Sequence, residues 1–285
     1  MNMNRRTLLK NLAYGLGGAV LLNNSSVSGV AATKKKLSKI GLQLYTVRRD
    51  LEKDFEGTLR AVAALGIREV EFAGYFGQPP EKIKALLKSL KLASPSAHIN
   101  TETLRGGLSK AIDDAQIIGH KYLVLGWLPE SERKSLDDYK KLVEQLNKAG
   151  EECRKSDLRF AYHNHDFEFK TLENKIPYDL ILAETDARDV KLELDLYWIN
   201  KAGFDPLAYF EKYPKRFPLV HVKDMDGSAK KYFTEVGRGT IEFKKIFSKA
   251  NVAGVEHFYI EQDETPAEPL KSVEISLKYL KELRF

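Results

Sequence analysis

The chain has 285 residues, 43% of them hydrophobic and 30% charged, with 46 basic and 40 acidic side chains for a formal net charge of +6. That length suits one α/β barrel of about 250 residues as a single domain, and the polarity excludes a bundle of membrane spans. Bases and acids are interleaved, as in Lys140-Lys141-Leu142-Val143-Glu144, which reads as solvated helix faces and excludes a nucleic-acid groove. The single cysteine, Cys153, excludes an intrachain disulfide and a Cys-based zinc cluster; it reads as a half-buried helix residue.

The chain begins with Asn4-Arg5-Arg6-Thr7-Leu8-Leu9-Lys10, followed by a weakly apolar stretch from Leu12 to Leu22 and by the small residues Gly29, Ala31 and Ala32. A charged start, a short apolar middle and small residues make an export signal over residues 1–32, expected to be cleaved near Val30 to Thr33. The middle is too short for a good membrane span, and no cysteine follows it, so no stable membrane anchor is expected. The paired arginines resemble the twin-arginine class. That resemblance implies export of a folded protein by the twin-arginine machinery, a periplasmic or otherwise exported location, and a metal acquired inside the cell.

The folded body is expected over residues 37–285. Ile40 to Leu44 is read as strand one, with Tyr45, Thr46 and Arg48 at its end. Leu51 to Leu65 has amphipathic helical spacing and stops at Gly66. Arg68 to Phe72 is strand two and carries Glu71; Pro79 and Pro80 open a helix through Leu90; Ala93 to Ala97 is strand three, with His98 at its end. Leu104 to Ile118 is a helix, Tyr122 to Leu125 is strand four, and Ser135 is the expected N-cap of a long helix through Cys153. Strands five to eight are expected at Leu158 to Tyr162, Val190 to Leu194, Phe217 to Val222 and Glu256 to Ile260. Helices are expected near Tyr178 to Glu184, Pro206 to Tyr213, Phe243 to Ala250 and Leu270 to Leu283. Strict βα alternation over eight units predicts a (β/α)8 TIM barrel rather than an open sheet. The open dinucleotide-binding sheet is disfavoured because no Gly-x-Gly-x-x-Gly turn follows strand one.

The last four strands end in metal-binding side chains, at roughly 30-residue intervals typical of βα units. These are His163-Asn164-His165-Asp166-Phe167-Glu168, Asp195, His221 and Glu261. Barrel topology brings strand ends to one face. Glu168, Asp195, His221 and Glu261 together would suit Mn2+, Mg2+, Co2+ or Zn2+, with Mn2+ expected first. The strand-five ligand is open between Glu168, which is preferred, and His163. Lys223, just after His221, is a candidate to orient a ligand or substrate oxygen. Tyr45, Glu71, His98, His163, Trp198 and Arg238 are the expected substrate contacts; Trp198 offers a flat face for a sugar ring.

Several segments resemble the sugar phosphate isomerase/epimerase family, which belongs to the xylose isomerase-like superfamily that also holds family 2 abasic-site endonucleases. They are Leu42-Gln43-Leu44-Tyr45-Thr46-Val47-Arg48, Glu69 to Gly77, Tyr162 to Phe169, His221-Val222-Lys223-Asp224 and Val236-Gly237-Arg238-Gly239-Thr240-Ile241. The resemblance implies one divalent metal held by Glu, Asp, His and Glu, with Asp195, His221 and Glu261 as three of the four. Three departures stand out. His163-Asn164-His165 replaces a frequent Glu-Asn-His, Trp198 replaces the histidine of a frequent Asp-x-x-His, and Arg238 replaces the glutamate of an occasional Gly-Glu-Gly.

These readings predict a metal-dependent sugar isomerase or epimerase. Glu168 or Glu261 would abstract a proton beside a carbonyl, and His165 or Lys223 would donate to an oxygen. The alternatives are a lyase eliminating a β-substituent from 3-keto-glycosides and a non-catalytic carbohydrate-binding barrel. The expected partner is a small sugar or keto-glycoside, unphosphorylated because export removes the chain from phosphorylated pools, with Arg48 and Arg238 available to an anion. Self-association into a homo-oligomer is left open.

Overall fold

The computed structural model describes residues 35–265 and 268–285. The expected export signal lies outside them. Eight parallel strands close into a barrel: β1 (Gly41–Gln43), β2 (Glu69–Phe72), β3 (Ala93–Ile99), β4 (Tyr122–Leu125), β5 (Arg159–His163), β6 (Val190–Asp195), β7 (Leu219–Val222) and β8 (His257–Ile260). Each strand pairs with its sequence neighbours, and β1 pairs with β8. Successive side chains point to opposite faces of a strand. On β6, Leu192 and Leu194 join the main apolar core, while Glu193 and Asp195 occupy the other face. Register continues this alignment: Asp195 lies beside His221, and His221 beside Tyr259. Tyr122, Val124, Ala161, Leu219 and Tyr259 form a separate apolar cluster within the barrel. Gly41 makes room for it, because a Cβ there would overlap the Tyr259 ring.

The helical layer follows the predicted pattern with local breaks. Ser135 caps the helix Leu136–Lys155 and forms a reciprocal capping box with Asp138. The single helix expected from Leu51 to Leu65 is two, Arg48–Lys53 and Phe55–Ala64. Asp54, in extended conformation, ends the first and caps the second through Gly57 N. Thr103–Gly107 is a π-helical turn ahead of Leu108–Ile118. A further short helix, Leu196–Lys201, follows β6 directly. Cys153 is buried in its helix, and burial pushes its thiol up to about 12, so it is inert.

After β7 the chain makes a small antiparallel ribbon, Asp224–Met225 with Phe233–Thr234. The Asp224 carboxylate accepts from the backbone N–H of Met225, Gly237, Gly239 and Ile241 at 2.8–3.2 Å. Gly237 has φ +91°, and Gly239 presses against the Asp224 carboxylate where no Cβ fits. The Gly-Arg-Gly segment is thus a tied-down turn. Among the described residues, no helix is long and apolar enough to cross a membrane.

Candidate metal centre and its pocket

The C-terminal ends of β5 to β8 bring His163, Asp195, His221 and Glu261 together. One donor atom each from Asp195, His221 and Glu261 lie within 4.8 Å of one another. His221 Nδ1 is 2.7 Å from Glu261 Oε2 and 3.9 Å from Asp195 Oδ2. His163 Nε2 is 3.8 Å from Asp195 Oδ2. Asp195 Oδ2, His221 Nδ1 and Glu261 Oε2 are all buried and lack a hydrogen-bond partner of proper geometry. Buried polar atoms are rarely left so. Atoms this close that do not align for hydrogen bonding suit a shared cation, and two carboxylates with imidazole nitrogen form a suitable donor set.

Asp195 has two roles. Its Oδ1 accepts from Tyr197 N at 2.8 Å and Trp198 N at 2.9 Å, capping the helix Leu196–Lys201. Its Oδ2 remains turned to the cluster. Burial pushes its carboxyl up to about 6, against the lowering influence of Lys223 and His221. Asn164 holds the strand end in place by accepting from Asp195 N at 3.0 Å.

A deeper carboxylate layer orients the imidazoles. Glu71 Oε2 is 2.6 Å from His221 Nε2 and accepts from Gln43 Nε2 at 2.7 Å. Glu193 Oε2 lies 2.7 Å from His98 Nε2 and 3.2 Å from His163 Nδ1. Burial lowers His98, but Glu71 and Glu193 outweigh it and raise the ring to about 9. Likewise, burial raises Glu71, but His98 and His221 hold it well below the usual carboxylate range. His163 is held well below the usual histidine range, first by burial and then by surrounding positive groups, so it is neutral and fit to ligate.

Lys223 is buried with its Nζ 2.9 Å from Asp195 Oδ2, 2.7 Å from Glu261 Oε2 and 2.7 Å from Asp263 Oδ1. Burial alone would lower its pKa, but the three carboxylates raise it well above the lysine range. Burial raises Glu261, but Lys223 and His221 overcome that and hold it ionised.

A cavity of about 900 Å3 opens above the centre. Tyr45, His98, His163, His165, Trp198, Lys223 and Glu261 line it, so most expected contacts converge there. His165 stacks flat on Phe167, with Trp127 edge-on at 4.5 Å. Burial, reinforced by Lys223, holds His165 well below the histidine range. The buried nitrogens His165 Nδ1 and Trp198 Nε1 have no hydrogen-bond partner.

Three expected residues lie elsewhere. Glu168 Oε1 accepts from Tyr162 OH at 2.5 Å, and Oε2 accepts from His165 N at 2.8 Å. Tyr162 alternates with the inward-facing Ala161 and His163, so it draws Glu168 into the layer between strands and helices. Burial pushes Glu168 up to about 7. The structure therefore places His163, not Glu168, near Asp195 and His221, where it also clusters with His98 and Glu193. Glu71 is fully buried beneath the centre and does not line the cavity. Arg238 lies on the ribbon turn, 58% exposed and 3.4 Å from Glu235, away from the cavity. Arg48 is also committed, to the carbonyls of Tyr45 and Asp263. Sequence reasoning missed Glu193, Asp263 and Trp127. The first two were accessible signals, since each lies two residues from an identified ligand.

Known proteins resemble this chain in sequence and fold. An inosose dehydratase of Lacticaseibacillus casei is 25% identical over 268 residues, covering 80% of this chain and 89% of that protein. A crystal structure described as a sugar phosphate isomerase/epimerase from Parabacteroides distasonis superposes with a TM-score of 0.73 at 28% identity, covering 90% of this chain and 96% of that one. The IolI protein, whose structure has a bound zinc atom, shares the fold with a TM-score of 0.68 at 11% identity over 84% of this chain and 95% of its own. Residues 59–283, spanning β2 through β8, match the family described as xylose isomerase-like TIM barrel. On that match and on the closed eight-stranded barrel, the chain belongs to the xylose isomerase-like TIM barrel family.

Proposed function

We propose that the protein is a divalent-metal-dependent lyase that removes a β-substituent from a cyclic polyhydroxy ketone. The observation that carries this is the convergence of Asp195 Oδ2, His221 Nδ1 and Glu261 Oε2, buried within 4.8 Å of one another, beneath a cavity lined by His165 and Lys223. Isomerisation or epimerisation was the first expectation from sequence. Similarity to inosose dehydratases favours elimination over it.

His163, Asp195, His221 and Glu261 would hold the metal. The second imidazole favours Mn2+, Co2+ or Zn2+ over Mg2+. When bound, the metal polarises a substrate carbonyl or hydroxyl and acidifies the adjacent C–H. His165 is the better base, because it is neutral, lines the cavity and has a free buried nitrogen. Glu168 is bound up in its own turn, and Glu261 is held strongly ionised. Lys223 remains protonated and sets a fixed positive charge beside the cavity, where it stabilises negative charge developing on the substrate oxygens. Trp198 supplies the flat wall for the ring.

We extend the proposal to location: residues 1–32 serve as a twin-arginine signal that delivers the barrel, residues 37–285, to the periplasm or beyond the cell. Fractionation of the full chain against a double Arg5→Lys, Arg6→Lys variant tests this, and unchanged export would overturn it. The reaction is tested with chelated and Mn2+-reloaded protein and an inosose in D2O, following enone absorbance and deuterium uptake. Metal-dependent appearance of the enone is the expected result. Deuterium uptake with a rearranged sugar and no enone favours isomerisation, and equal rates with and without metal overturn the reading.

A further inference from the structure

His163 and His221 each turn their two ring nitrogens to two different sets of acids. On one edge, His221 Nδ1 meets Glu261 and His163 Nε2 meets Asp195. On the other edge, His221 Nε2 and His163 Nδ1 each stand 3.2 Å from Glu193 Oε2. His98 Nε2 comes to the same oxygen at 2.7 Å. One donor atom each from His98, His163, Glu193 and His221 lie within 4.8 Å of one another, a second group beside that of Asp195, His221 and Glu261.

The deeper group is spaced as ligands are. Donor atoms around a four-coordinate Zn2+ stand ~3.3 Å apart, given bonds of about 2.0–2.1 Å. The two 3.2 Å separations match, and only His98 has to draw back. His163 Nδ1 is not aligned to donate to Glu193, and Glu193 Oε1 makes no hydrogen bond among the described residues. His163 is 2% exposed and Glu193 0%, so water does not satisfy them. Charge points the same way. In the upper group, Lys223 already balances Asp195, Glu261 and Asp263. In the lower one, the ion-pair partners of Glu71 and Glu193 are imidazoles alone among the described residues. A protonated His98 balances one of those two buried carboxylates, and a divalent cation in its place balances both.

We propose that His98, His163, Glu193 and His221 form a second, deeper cation seat that alternates with the upper one. A neutral imidazole has one lone pair. An ion held by His221 Nδ1 and His163 Nε2 leaves hydrogens on the nitrogens that face Glu193, and an ion held below reverses both rings. The two seats therefore exclude each other. Three imidazoles and one carboxylate suit Zn2+ or Co2+ more than Mg2+. With the ion below, Lys223 has no competitor for Asp195 and Glu261, and Glu193 holds the ion beneath the cavity that it does not line.

Co2+ is the probe, because four-coordinate, nitrogen-rich Co2+ absorbs intensely in the visible and six-coordinate, oxygen-rich Co2+ weakly. Asp195→Asn with Glu261→Gln disables the upper seat while leaving an oxygen to cap the helix after β6. The double variant, its fold checked by circular dichroism, should bind one Co2+ with the intense band. Adding Glu193→Gln or His98→Ala should weaken that binding by ~100-fold or more, since even an outer partner of a ligand is worth about 10–100-fold. Wild type should take up one Co2+ in all. A folded double variant that binds no Co2+, or binds it unchanged after Glu193→Gln, overturns the deep seat. Two Co2+ in wild type overturn the exclusion. If the double variant does not fold, Asp195→Asn alone is judged by the same band, and its absence overturns the seat. No readout needs a substrate, so failure of the lyase reading is seen separately in the enone assay.

Discussion

The Lys223 ammonium stands 2.7 Å from Glu261 Oε2, the same oxygen that lies 2.7 Å from His221 Nδ1. A metal must share that carboxylate with a fixed positive charge. In Lys223→Met, the metal should bind ~10-fold more tightly, while turnover falls ~100-fold or more because the fixed positive charge beside the substrate is gone. Calorimetric metal titration and steady-state kinetics read the two effects apart. Weaker metal binding in the variant would show that Lys223 organises the ligands instead of competing with the ion.

His163 stands where relatives of the resembling family frequently have glutamate. His163→Ala should lower metal affinity ~10-fold or more, measured by chelator competition. His163→Glu should keep the metal and move preference toward Mg2+ and Mn2+, since carboxylate replaces imidazole. Metal content unchanged in His163→Ala would remove it from the ligand set.

Glu71 touches His221 and Gln43 but not the cavity. Glu71→Gln should therefore act through the imidazole and cut metal affinity about 10–100-fold. Saturating metal should restore KM. A raised KM with normal metal affinity would instead mark a direct substrate contact.

Glu168 gives a pH signature. Its ordinary value is 4.5 and burial raises it to about 7, so the folded state holds this proton more tightly than the unfolded chain. Its favourable contribution is full below pH 4.5 and is lost as pH rises through 7, by about 3 kcal/mol at most. Urea denaturation of the chelated protein between pH 4.5 and 8 should show that decline, and Glu168→Gln should flatten it. An equally steep decline in the variant would assign the effect to other groups.

Much of the barrel was legible because β and α periodicities alternate cleanly, and because the last four strands end in ionisable side chains where a core residue would otherwise continue. Asp195, His221 and Glu261 converge since adjacent parallel strands place matching ends side by side. Glu168 was misjudged because spacing counts residues and not directions. The turn Phe167–Phe169 carries it back onto Tyr162, on the outward face of β5. Glu193 was hidden inside a strand that reads as apolar, although its separation of two from Asp195 assigns both to the same face. The ribbon after β7 left no periodic trace, since two-residue strands held by one aspartate have none.

Asp195 joins the ion site to the substrate wall within a single carboxylate. One oxygen faces the cluster, and the other fixes the first turn of the helix bearing Trp198. Substitutions at Asp195 and Trp198 should consequently be non-additive, with a double variant losing less than the two singles together. On the proposed reading, ring recognition and ion recognition in this barrel are coupled through Asp195, and a change of ring preference at Trp198 should alter metal affinity as well.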